Sequence, residues 1–86
     1  SPLVKYKLDP LRRRDFTPTA TGALLVKDLS LIVEAARQAG VPAPLASHML
    51  SVYRGMDSAL AAEDFISVVK LTEHAAGLGE PPSKPA

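Results

Sequence analysis

Lys27 and Asp28 are two adjacent charges set inside a run of leucines, and in this 86-residue chain their placement most invites a chemical role. Between residues 20 and 40, Leu25, Leu29, Ile32, Ala36 and Ala39 recur at helical spacing and form one apolar stripe. Ala20, Leu24, Leu31 and Ala35 form a second. Lys27 falls between Leu24 and Leu31 on the second stripe, and Asp28 between Leu25 and Ile32 on the first. Adjacent residues of a helix point in different directions, so the ammonium and the carboxylate are poor partners for each other. A charge withdrawn from water without a counter-group is costly, so each is expected to meet a partner or ligand from outside the helix. The bland alternative leaves Asp28 accepting hydrogen bonds from a neighbouring backbone. Lys27 then lays its stem over leucines and keeps its amine in water.

Other constellations are weaker. His48 and His74 stand 26 positions apart in different segments, with no further ligand at helical spacing, so no metal site is expected. Ser47, His48 and Asp57 contain the atoms of a nucleophilic triad, but nothing in their pattern selects it. No glycine-rich phosphate loop is present. Lys5, Lys7, Arg12, Arg13 and Arg14 against Asp9 make residues 1–14 strongly basic, while the whole chain carries only +1. A phosphate-binding arm is one reading and a solvated segment the other. No aromatic residues interleave the arginines as a single-strand binder requires, and neither a nucleic-acid nor a membrane partner is expected.

The elements that must position Lys27 and Asp28 read as helices throughout. Pro2 suits a first turn, and residues 1–14 read as a short helix or basic arm whose pattern Pro10 interrupts. Asp15-Phe16-Thr17-Pro18 is a loop. Thr19 or Thr21 can cap the central helix, which Gly22 weakens at its start and Gly40 stops. Pro44 opens a second helix with Leu45, Met49, Tyr53 and Met56 in one stripe and Ala46 and Leu50 beside it. Ala59 to Ala62 can stay helical. Glu63 or Asp64 starts a third helix through Phe65, Val68, Val69 and Leu71, which ends near Gly77. The proline-rich end, 78–86, reads as a flexible tail. The expectation is an all-α domain over residues 15–77, a small bundle of three to four helices. Cysteine is absent, and no apolar run nears the roughly 20 residues that span a bilayer. A cytoplasmic location fits both. The first residue is not Met, which suggests a piece of a longer chain.

The run Asp15-Phe16-Thr17-Pro18, then Leu25-Val26-Lys27-Asp28-Leu29, then Glu34-Ala35-Ala36 resembles the C-terminal domain of the β-hydroxyacid dehydrogenases. This family includes 3-hydroxyisobutyrate dehydrogenase, tartronate semialdehyde reductase and the L-threonate dehydrogenases. Gly40-Val41-Pro42-Ala43-Pro44-Leu45 continues the likeness, and Tyr53, Asp64 and Val68-Val69-Lys70-Leu71 carry it to about residue 76. The resemblance implies a two-domain enzyme of the 6-phosphogluconate-dehydrogenase-like kind. A Rossmann domain there holds NAD or NADP, and a helical C-terminal domain closes the cleft over a small hydroxyacid. The family's catalytic lysine, with an asparagine one turn later, lies on the helix linking the two domains. Nothing here matches that pair, because asparagine is absent and Lys5 and Lys7 are misplaced.

By the same resemblance Lys27 is cofactor-binding, approaching the nicotinamide end, and Asp28 belongs to the substrate cleft, lying near the substrate pocket or holding the cleft together. Ala20 stands where many members carry an aromatic facing the substrate, a departure nearer the L-threonate-like branch. The chain is thus expected to be the cleft-lining and oligomerising part of an NAD- or NADP-dependent dehydrogenase. Alone, it is expected to be inactive and to form a homo-oligomer through its bare apolar surface. The competing reading is a free-standing helical module that binds protein through the same surface.

Overall fold

A computed structural model describes residues 2–78, and these are helical with short connections. The elements are α1 (Pro2–Arg13), α2 (Gly22–Ala39), α3 (Pro44–Tyr53), α4 (Ser58–Ala61), a 3-10 turn (Phe65–Val68) and α5 (Val69–Ala75). The all-α expectation is met. Of the expected tail, only Leu78 lies within the described residues.

Helix α1 corrects the reading of Pro10 as a break, because the helix runs past it to Arg13. A proline there removes a single backbone donor. The end is closed instead by the Arg14 N–H donating to the Leu11 carbonyl and the Asp15 N–H donating to the Pro10 carbonyl. Arg14 takes the left-handed conformation that ends many helices, at φ 53°. Its guanidinium forks onto Glu73 through bonds of 2.8 and 3.1 Å and lies over the Phe16 ring, which holds the strained residue in place.

Helix α2 starts with Thr21, whose hydroxyl accepts the Leu24 N–H at 3.1 Å. It ends at Gly40, left-handed at φ 69°, whose N–H donates to Ala36 and Arg37. These caps are as the sequence predicts. The buried face is not. Gly22 and Leu29 are buried on α2, with Leu25, Val26 and Val33 packed beside Leu29 against Leu50 and Tyr53. Ile32, assigned to the buried stripe from its spacing, is exposed, and Val33 takes its place. In α3 the expected stripe Leu45–Met49–Tyr53 is likewise rotated: Leu50 and Tyr53 are buried, while Leu45 is 81% exposed. Each helix carries apolar residues on more than one side, and the α2–α3 packing chooses the phase.

Gly22 also has a packing reason. A Cβ there would lie 2.7 Å from Met56 Sδ and 3.3 Å from the Ala61 Cα. The methionine end can swing aside, but the α4 backbone must move. We therefore expect Gly22→Val to destabilise the fold by about 1–3 kcal/mol, measured by urea unfolding, the usual range for overpacking. An unchanged midpoint would show that α4 yields freely.

Candidate functional site

With one face of α2 packed on α3, the other is open. Leu24, Lys27, Asp28, Leu31 and Ile32 are all exposed, and Leu31 is 61% exposed. Leu24, Lys27, Asp28 and Leu31 follow the three- and four-residue spacing that places side chains side by side on a helix. The ion pairs among the described residues are Lys7–Asp64, Arg14–Glu73, Arg37–Glu34 and Lys70–Glu63. Neither Lys27 nor Asp28 joins one. The expectation that the helix is clasped on both sides, with Lys27 and Asp28 in apolar surroundings, is therefore corrected. The domain clasps one side only, and both charges reach water from among exposed leucines. Their lack of an internal partner stands.

Polar organisation is concentrated elsewhere, at Asp64, a residue the sequence marks as a helix start and as part of the family likeness but not as a site. Asp64 is 1% exposed. Its Oδ1 accepts the Thr19 N–H at 2.8 Å, the Thr19 hydroxyl at 2.8 Å and the Ala20 N–H at 3.3 Å. Its Oδ2 accepts the Ile66 N–H at 3.2 Å and faces Lys7 Nζ at 3.4 Å. Burial alone pushes this carboxyl upward in pKa, but the donors from Thr19, Ile66 and Ala20 outweigh it and hold the value at about 2. The backbone follows the same stitching. Asp64 N–H donates to the Phe16 carbonyl, Phe65 N–H to Ala20, and Gly22 N–H to Glu63, around a single antiparallel bridge between Thr21 and Asp64.

Lys7 completes this node. Its ammonium donates to the Thr19 hydroxyl at 3.0 Å and sits 4.5 Å from the centre of the Phe65 ring. Tyr6, Lys7, Pro10, Thr19, Asp64 and Ile66 contribute to a small open cleft of about 190 Å³. Nearby, Tyr53 donates its hydroxyl to the Phe65 carbonyl at 3.1 Å, and burial followed by the Asp64 charge raises its pKa. A local signal for Asp64 exists in the sequence, since aspartate before Phe65 is a good helix cap. For Lys7 there is none, because its partner lies 57 residues away.

The remaining candidates separate. His48 and His74 are both exposed, and no group able to hold a metal ion occurs among the described residues. Asp57, drawn into the triad reading, instead caps α4 by accepting the Leu60 N–H at 2.8 Å. The basic stretch is divided. Lys7 and Arg14 are tied to the domain, while Lys5, Arg12 and Arg13 are exposed. No described helix is long and apolar enough to cross a membrane.

Comparison with known proteins gives one result. A family model described as NAD-binding of NADP-dependent 3-hydroxyisobutyrate dehydrogenase matches residues 2–72, a span from α1 into α5 that includes Lys7, Lys27, Asp28 and Asp64. No curated protein and no solved structure matches.

Proposed function

The chain belongs to the family described as NAD-binding of NADP-dependent 3-hydroxyisobutyrate dehydrogenase, and from that premise we propose that it is the helical cleft wall of a nicotinamide-dependent hydroxyacid dehydrogenase. The observation that carries this reading is the open face of α2, where an unpaired ammonium and an unpaired carboxylate stand among exposed leucines. The chemistry of these groups fits the proposed occupants. Lys27 is a long, flexible cation able to donate to the cofactor's phosphate, ribose or carboxamide oxygens. Asp28 can only accept when ionised, which suits a substrate hydroxyl rather than a substrate carboxylate. Leu24 and Leu31 supply apolar surface that keeps water from a closed cleft, where such hydrogen bonds are worth more.

The bound cofactor supplies the hydride acceptor or donor. This chain's residues orient and enclose. Lys27 holds the cofactor end and Asp28 holds the substrate, while the proton of the substrate hydroxyl is handled by a lysine outside this chain. The 86 residues alone are therefore catalytically inactive.

Lys27→Ala tests the reading in the whole gene product that carries this sequence. Loss of one hydrogen bond from a charged donor is expected to raise the dissociation constant for NADPH or NADH about tenfold to a hundredfold. Fluorescence titration reads this directly, and KM should move in parallel. Unchanged cofactor binding in Lys27→Ala would refute the assignment of Lys27. Failure of the unmutated protein to bind either cofactor would favour the free-standing interaction module instead.

A further inference from the structure

Helix α1 is held to the rest of the molecule by polar clasps rather than by packing. Among the described residues it makes no extensive contact with another helix, and its Val4, Tyr6 and Leu8 are exposed. One clasp is Arg14 on Glu73, at the end of the helix. The other is Lys7, which reaches Thr19 and Asp64 from the middle of α1. Asp64 is also where the start of α2 is anchored. Its carboxylate takes the Thr19 and Ala20 N–H groups, and its neighbours Glu63 and Phe65 bond Gly22 and Ala20. From Thr21 to Lys27 is six residues of continuous helix, about 9 Å of axis at 1.5 Å per residue. A shift of the 19–22 segment is carried rigidly to Lys27.

We propose that Lys7, Thr19 and Asp64 form a latch that registers α1 against the first turn of α2 and so sets the placement of Lys27. They are positioning residues, since none of them lies on the open α2 face. This inference rests on the cofactor role assigned to Lys27 above. It adds that the attitude of α1 and the reach of Lys27 are coupled through one buried carboxylate. The coupling is built from two very different contacts. Thr19 to Asp64 is short, at 2.8 Å for both the backbone and the hydroxyl donor, and fixes the loop. Lys7 to Asp64 is longer and partly solvated, with the lysine side chain 20% exposed, so it is the part that can open.

The test is a double-mutant cycle on the whole gene product. Lys7→Met keeps the apolar stem and removes the ammonium, and Thr19→Val keeps the shape and removes the hydroxyl. Each is expected to raise KM for the cofactor about threefold to tenfold with kcat little changed, the range of one ordinary hydrogen bond. In a Lys27→Ala background the same substitutions should add almost nothing. Equal effects with and without Lys27 would reduce the latch to a stability device and overturn the proposal. A second readout does not depend on the cofactor role. Hydrogen exchange in Lys7→Met should quicken across α1 and at Gly22 to Val26, while α3 keeps its protection. Should Lys27→Ala leave cofactor binding unchanged, the previous reading fails while this exchange pattern still decides whether the latch exists. Unaltered exchange at Gly22 to Val26 overturns it. Thr19→Val carries the same measurements if Lys7→Met does not fold.

Discussion

Asp64→Ala is expected to cost the fold about 4 kcal/mol or more at neutral pH and 25 °C. The carboxylate accepts from Thr19 twice, from Ala20 and from Ile66, and faces Lys7, at 1% exposure. Alanine leaves several of these donors in a protein environment with no acceptor, each costing about 1–3 kcal/mol. A combined loss of about 4 kcal/mol or more compares with a total stability of roughly 4–13 kcal/mol for a domain this size. Circular dichroism with urea titration measures it. Asp64→Asn keeps the shape and one acceptor oxygen, and should retain a fold of reduced stability. If Asp64→Ala unfolds at the unmutated midpoint, the node does not hold the segments together.

The same carboxylate predicts an acid transition. Its pKa is lowered from the ordinary 3.8 to about 2 on folding. A lowered pKa means the folded state favours the ionised form, so the contribution is fully present above about pH 4. It is lost as pH falls towards 2, and amounts to about 2 kcal/mol. Asp64→Asn should lack this part of the acid loss. Glu34 and Glu73 are also lowered, each first by an arginine hydrogen bond, but both are surface pairs of smaller consequence.

Leu29→Ala is the second large effect, expected at about 2–5 kcal/mol, the range for truncating a buried leucine with incomplete collapse around it. Leu29 is buried with Leu50 and Tyr53, and Leu25, Val26 and Val33 pack around the cluster. Leu31, two residues on, is the control. At 61% exposure its truncation should stay within about 0.5 kcal/mol. Paired unfolding curves decide between them. Equal losses at the two positions would mean the open face of α2 is covered in solution, by a second copy or another partner, and the comparison repeated across protein concentration would reveal self-association.

This pair of leucines marks the boundary of what the sequence could decide. The helices, their all-α class and most of their ends follow from local rules. Thr21 and Asp64 cap through their side chains, Pro44 opens a first turn, and Gly40 adopts the left-handed stop. These are interactions between residues a few positions apart, so the order of residues contains them. The motif linking Lys27-Asp28 to Gly40-Val41-Pro42 also carries the likeness to the family whose model matches residues 2–72.

Which side of α2 is buried was not contained there. Leu25, Leu29 and Ile32 describe a face as well as Leu25, Leu29 and Val33 do, and a helix apolar on two sides has no preferred phase until another helix packs on it. Tyr53 and Leu50 on α3 make that choice. The placement of Lys27 and Asp28 in solvent follows from it. The Lys7–Thr19–Asp64 node was equally out of reach. It brings together residues 12, 45 and 57 positions apart, and hydrogen bonds between them exist only after the chain has closed. Capping, helical period and family likeness are properties of the sequence, whereas burial and long-range polar partnership belong to the fold.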